Sequence, residues 1–236
     1  MPQPQELLLV RHGQSTANAR GIWQGQMEFP LSKEGRRQAT LVGRALAREP
    51  FDALYSSPLS RALETAELIR RETGFSGTVV SVEGLSERHG GVLEGHTWAE
   101  QEERDPGLAK KFLAIPEEER WALVGAETDE QVMERFERAL SSIRVRHPDG
   151  SRVVLVSHGG VMRAFFRDLF GPEILPGMQR APNASITRIS WAREDQPHLL
   201  ELAFTEHLLE DGSLRASTVE KPGEDPASGP GSCGGP

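Results

Sequence analysis

The sequence predicts an α/β layer fold around a mostly parallel sheet, on two observations: short apolar runs recur without alternation, and amphipathic helical stretches lie between them. Residues 7–10, Leu7-Leu8-Leu9-Val10, are too few for a helix and apolar at every position, as expected of a strand covered on both faces. Residues 53–55, 79–82 and 153–156 repeat that theme. Ser32 reads as the N-cap of a helix reaching Arg48, with Ala39, Val42 and Leu46 along one side. Ser57-Pro58 reads as an N-cap with proline at the first helical position, and Leu59, Ala62, Leu63, Ala66 and Ile69 follow at helical spacing. Asp129 opens a third helix with Val132, Phe136, Leu140 and Ile143 as its buried stripe, and a fourth runs from Gly160 to Phe170. Residues 185–191 and 199–204 read as later strands, antiparallel elements at the sheet edge.

Residues 96–128 break the rhythm with Pro106, Pro116 and clustered charges, and read as a helical insertion over one end of the sheet, the usual place for a substrate lid. One catalytic domain is expected over residues 1–220, followed by a tail over 221–236. Nine of the sixteen tail residues are Gly or Pro and none is large and apolar, so burial cannot offset ordering entropy and disorder is expected.

Among the 236 residues, Lys+Arg number 27 against Asp+Glu 35, a net charge of −8. That balance argues against a nucleic-acid partner, whose phosphates need a basic face. No stretch nears the roughly 18 consecutive apolar residues of a membrane span. Residues 1–6 are polar and lack the basic and apolar regions of a secretory signal. The one cysteine, Cys233, cannot form an internal disulfide, which points to a reducing, cytoplasmic setting. A homodimer is the commonest assembly for such a chain.

In an open α/β sheet, ligands bind outside the carboxyl ends of the strands. After residues 7–10 comes Arg11-His12-Gly13-Gln14-Ser15, after 53–55 comes Ser56-Ser57-Pro58-Leu59-Ser60-Arg61, after 79–82 comes a loop containing Glu87, and after 153–156 comes Ser157-His158-Gly159-Gly160. One rim therefore receives two histidines, two arginines and a carboxylate. Such a set suits phosphoryl transfer. Arginine offers a planar fork of donors to phosphate oxygens, and helix N-termini add backbone N–H groups. A neutral imidazole can attack phosphorus, and a nearby carboxylic acid can protonate the leaving alkoxide and then activate water. Fixed cationic donors supply the stabilisation of the moving phosphoryl group, and the scheme calls for no metal or cofactor. His89, His96, His147, His198 and His207 form no pair with metal-ligand spacing and a third ligand. Trp23, Met27, Phe29, Trp98, Phe112 and Trp121 divide between a leaving-group pocket and ordinary core.

Leu9-Val10-Arg11-His12-Gly13-Gln14-Ser15 with Asn18 resembles the signature of the histidine phosphatase superfamily, the phosphoglycerate-mutase-like fold. The resemblance continues through Gln24-Gly25, Pro30-Leu31-Ser32-Lys33-Glu34-Gly35, the block from Ser56 to Ala66, Leu85-Ser86-Glu87 and Ser157-His158-Gly159-Gly160. It implies a three-layer α/β/α sandwich and metal-independent chemistry on phosphomonoesters. By position it implies His12 as the phosphorylated nucleophile, Glu87 as proton donor, and Arg11, Arg61 and His158 around the phosphate. Ser15, Asn18, Gln24 and the Gly159 backbone complete the implied phosphate-binding set.

Two departures bear on this. Gly90-Gly91 stands where the family usually has a bulky apolar or aromatic residue, and Glu94 is a rival acid, with Glu87 favoured as nearer the strand end. The insertion also lacks the arginine pair with which cofactor-dependent phosphoglycerate mutases hold a substrate carboxylate. The leading expectation is a phosphatase acting on a small phosphorylated metabolite. A phosphoglycerate mutase and a non-catalytic phospho-ligand binding module stand as alternatives.

Overall fold

The apolar runs fold as the strands of one sheet: β1 (Gln5–Arg11), β2 (Ala53–Ser56), β3 (Val79–Ser81), β4 (Arg152–Ser157), β5 (Ile186–Trp191) and β6 (His198–Phe204). The computed structural model describes residues 3–174, 176–177, 181–192 and 196–209. Strand order is β3-β2-β4-β1-β5-β6. The first four run parallel, and β5 runs antiparallel to both β1 and β6. Of the two late strands only β6 lies at the edge, since β5 is covered by β1 on its inner side.

Alternation along each strand divides the interior in two. Leu8, Val10, Leu54, Val154 and Val156 point to α1 (Lys33–Leu46) and α2 (Ser60–Thr73), meeting Val42, Leu46, Ala62 and Ile69. Leu7, Leu9, Tyr55, Val153 and Leu155 point to α6 (Asp129–Val145) and α7 (Gly159–Phe170), meeting Phe136, Leu140, Phe165 and Phe166. The result is the expected three-layer sandwich. Each fully buried phenylalanine in it contributes about 1.5–3 kcal/mol.

Ser32 caps α1 as expected, its side chain accepting from Gly35 N at 3.0 Å. Ser57 does not cap α2. Ser57 N is still bound to Val156 O at 2.9 Å, one step beyond the β2–β4 ladder, so the chain bends at Pro58 and Leu59 and the helix starts only at Ser60. Pro58 therefore precedes the helix instead of opening it.

Between β3 and α6 lie α3 (Trp98–Arg104), α4 (Pro106–Ala114) and α5 (Glu117–Leu123). They share a small core of Phe112, Trp121, Val124 and Leu93, with Trp23, Trp98 and Leu108 against it. Trp98 and Phe112 are thus spent on packing. No helix among the described residues is long and apolar enough to cross a membrane. The tail over residues 221–236, Cys233 included, lies outside the described residues.

Candidate active site

β1 and β4 are hydrogen-bonded neighbours in register from Glu6↔Arg152 to Arg11↔Ser157. His12 and His158 therefore leave the sheet side by side, with ring centroids 4.9 Å apart. Parallel strands whose apolar runs end level deliver their next residues to one place, which is why a sequence separation of 146 residues closes to contact. His12 Nδ1 donates to Gly13 O at 2.7 Å, leaving the lone pair on Nε2. His158 places Nε2 2.8 Å from Ser57 Oγ.

Arg61, in the first turn of α2, is wholly buried. Its Nη1 donates to Met27 O at 2.9 Å and its Nη2 to Gly25 O at 2.7 Å, so it also fixes the loop after Gln24. Arg11 donates from Nη1 to Ala181 O at 2.6 Å. Three buried nitrogens of this cluster have no hydrogen-bond partner among the described residues: the donors Arg11 Nε and Arg61 Nε, and the ring nitrogen His158 Nδ1.

Glu87 reaches the N-terminus of α7. Its Oε2 accepts from Gly160 N at 2.9 Å, and its Oε1 accepts from Val161 N at 2.9 Å and Arg88 N at 2.8 Å. The two glycines after His158 make room for side chains. A Cβ on Gly159 would stand 3.2 Å from the Arg11 guanidinium, and one on Gly160 would stand 2.6 Å from Glu87 Oε1. Gly13 has a different reason: a Cβ there would strike Gly35 O at 2.4 Å, so it serves the packing of β1 on α1.

Ser15 does not line the cavity; its hydroxyl donates to Gln24 Oε1 at 2.6 Å and approaches Asn18 Oδ1 at 3.1 Å. Asn18 Oδ1 also accepts from Ser15 N and Asn183 Nδ2. With both amide oxygens so engaged, the NH₂ groups of Asn18 and Gln24 are their free ends. A cavity of about 400 Å³ opens here, with Arg11, Arg61, Glu87 and Gly159 at its base and Ile22, Trp23 and Trp121 among its walls. Arg88 also lines it, but its guanidinium pairs with Asp129 and lies 4.5 Å over the Trp121 ring. Burial pushes Arg88 down to about 10.

Glu94 is not among the cavity-lining residues, although it packs against two of them, Gly25 and Gly90. Its Oε1 accepts from Gly90 N at 2.7 Å and Gln26 N at 2.9 Å, tying two loops together. Sequence reasoning missed Ser57, Asn183 and Arg135. Arg135 holds the Glu87 loop through the carbonyls of Gly84, Ser86 and Glu87 at 3.1, 2.8 and 3.0 Å. Nothing in its sequence context separates Arg135 from the solvated face of α6. Among the described residues, no group of three or more His, Cys, Asp or Glu is placed to hold a metal ion.

Both histidines are held well below the usual imidazole range, by burial first and then by Arg61, with Arg11 adding to the effect. Each is therefore neutral at neutral pH. Unfolded, each takes up a proton near pH 6.5, the ordinary value. Below that pH the unfolded chain binds more protons than the folded one, so stability falls as pH falls. Each histidine adds a slope of up to about 1.4 kcal/mol per pH unit. Urea unfolding between pH 7.5 and 5.5 is expected to show a shallower decline for His158→Asn than for the parent. Equal declines would mean that His158 is protonated in the fold.

A mostly parallel α/β/α sandwich with imidazoles and buried guanidiniums converging at its strand ends defines the class, an enzyme of phosphoryl chemistry. The profile of the histidine phosphatase superfamily (branch 1) matches residues 7–205. The chain belongs to that family and is a phosphatase by class. It is 40% identical over 168 residues to a metal-independent phosphoserine phosphatase of Arabidopsis thaliana, covering 68% of this chain and 67% of the relative. It is 31% identical over 203 residues to phosphoserine phosphatase 1 of Hydrogenobacter thermophilus, covering 86% and 94%. Among solved structures, a mycobacterial glucosyl-3-phosphoglycerate phosphatase matches with a TM-score of 0.73 at 28% identity, covering 85% of this chain and 99% of that one.

Proposed function

We propose that the chain hydrolyses small phosphomonoesters through a phosphohistidine at His12, with Glu87 as the proton donor. The observation that carries this is the trio of buried nitrogens lacking partners among the described residues, the donors Arg11 Nε and Arg61 Nε with His158 Nδ1, beside a neutral imidazole. Buried donors are rarely left unpaired, and a phosphoryl group has three oxygens to receive them.

His12 Nε2 attacks phosphorus, the P–O ester bond breaks, and Glu87 passes a proton to the departing oxygen. The proton that Glu87 passes on is brought by the substrate, whose phosphoryl group carries one in its monoanion. Glu87, now a carboxylate, takes a proton from water, whose oxygen attacks phosphorus and breaks the N–P bond. Phosphate leaves and His12 is neutral again. Arg11, Arg61 and His158 stabilise the charge on the moving group, helped by the amides of Asn18 and Gln24 and by Gly159 N. Water, not a second hydroxyl, is the acceptor. The outer wall is aromatic, and its one further cation among the lining residues, Arg88, gives Nη1 to Glu127 O and Nη2 to Asp129 and keeps Nε alone without a partner among the described residues, so a substrate carboxylate meets no two-pronged guanidinium there.

Phosphoserine, other phosphorylated metabolites and 3-phosphoglycerate primed with 2,3-bisphosphoglycerate are to be assayed for both phosphate release and isomer formation. Phosphate release outrunning isomerisation supports the hydrolase. The reverse makes the protein a mutase, and phosphate binding without turnover makes it a binding module. Gly160→Ala is expected to stay folded, the helix preference of alanine, up to about 1 kcal/mol, offsetting part of what the displaced Glu87 carboxylate loses at Val161 N and Arg88 N. It should nevertheless lower kcat on alkyl phosphates at least tenfold, by the roughly 2.6 Å clash that displaces Glu87 Oε1. A variant as active as the parent would detach Glu87 from α7 in function.

A further inference from the structure

Ser57 is unaccounted for by that scheme: it caps no helix, is fully buried and lies outside the cavity lining. Its hydroxyl stands 2.8 Å from His158 Nε2 and accepts from Leu59 N at 3.2 Å. Neither partner can drift. Ser57 follows β2 and His158 follows β4, strands paired from Ala53↔Val153 to Ser56↔Val156, and Ser57 N is itself bound to Val156 O.

We infer that Ser57 is a positioning residue that sets the tautomer of His158, keeping the ring proton on Nδ1 so that this atom donates to a bound phosphoryl group. The argument is an accounting of protons and lone pairs. With Leu59 N–H on one lone pair of Oγ, two arrangements of the Ser57–His158 bond remain. If the hydroxyl donates to Nε2, every group is used except Nδ1–H. If instead Nε2–H donates to Oγ, the serine proton has no acceptor among the described residues and Nδ1 is left with a bare lone pair, so two groups are orphaned. Each buried orphan is costly, and the first arrangement has fewer.

The sign of the remaining orphan also matters. A protonated Nδ1 joins Arg11 Nε and Arg61 Nε as a third donor, whereas a bare lone pair would repel an anion. The two histidines then divide their labour through opposite anchors. Gly13 O holds the His12 proton on Nδ1 and frees Nε2 to attack; Ser57 holds His158 Nε2 and frees Nδ1–H to bind.

The identity of the anion rests on the hydrolase reading, but the tautomer does not, so the test begins with the ligand-free protein. In ¹⁵N-histidine-labelled protein at neutral pH, His158, assigned by its loss in His158→Asn, is expected to show a protonated Nδ1 and an unprotonated Nε2. Ser57→Ala is expected to convert this to a mixture, to weaken orthovanadate binding, and to lower kcat roughly 10- to 100-fold, the range for one charge-assisted hydrogen bond. Ser57→Thr, which keeps the hydroxyl, should restore all three. A parent spectrum with the proton on Nε2 would overturn the inference, as would a Ser57→Ala protein with unchanged spectrum and kcat. Should Ser57→Ala not fold, the parent spectrum and Ser57→Thr still decide it. A correct tautomer in a protein that turns nothing over would keep the inference and remove the hydrolase reading.

Discussion

Replacing His12 by alanine is expected to abolish the acid-labile phosphoenzyme and to lower kcat by about four orders of magnitude or more, the scale on which losing a covalent nucleophile acts. Radiolabelled substrate quenched in base should leave label on the parent and none on His12→Ala. The fold should survive the change. His12 is held by its backbone, its N donating to Ser157 O at 3.0 Å and its O accepting from Asn183 Nδ2 at 3.1 Å, and its side chain adds one bond, to Gly13 O. His158→Ala makes the control. It should slow labelling without eliminating it, since His158 binds the group that His12 attacks. Label persisting in His12→Ala would move the nucleophile elsewhere, with His158 the first position to examine.

The rim was legible because parallel strands are apolar on both faces. Runs such as Leu7 to Val10 and Val153 to Val156 announce their own ends, and residues after the ends must share an edge. That logic reached His12, His158 and Arg61 without knowledge of any contact. It failed where the chain's local signal and its tertiary partner disagree. Ser57-Pro58 carries a strong helix-start pattern, yet a bond from its backbone N to Val156 O holds Ser57 in line with β2, where its hydroxyl meets His158. Arg135 looks like one more charge on the solvated side of α6 and instead bonds three carbonyls of the loop bearing Glu87. Gly90-Gly91 reads as a gap in packing. In the fold, Gly91 has φ of +59° and a Cβ there would sit 1.9 Å from Val124 O, so the pair lets the turn pass against the segment leaving α5. Contacts between distant segments are what a single sequence does not print.

Glu87→Gln carries the second large effect, and it depends on the leaving group. Glutamine keeps one accepting oxygen, enough for the Val161 N and Arg88 N bonds that Oε1 receives, while the bond from Gly160 N to Oε2 is lost; the loop keeps its place on those two bonds, and the amide has no acidic proton to give. Turnover of an alkyl phosphate is expected to fall by about two to four orders of magnitude, the usual span for a general acid, while p-nitrophenyl phosphate, whose phenolate leaves unprotonated, should change little in the phosphorylation step. The ratio of the two losses is the measurement. Glu94→Gln should lower neither, because the Glu94 carboxylate serves Gly90 N and Gln26 N and an amide oxygen can replace it. Equal losses on both substrates from Glu87→Gln, or a leaving-group-dependent loss from Glu94→Gln, would transfer the acid to Glu94. Geometry weighs against that transfer. A proton donor must reach an oxygen bonded to the phosphorus that His12 attacks, and Glu87 shares its cavity with Arg11, Arg61 and Gly159, whereas the Glu94 carboxylate is turned to Gly90 N and Gln26 N.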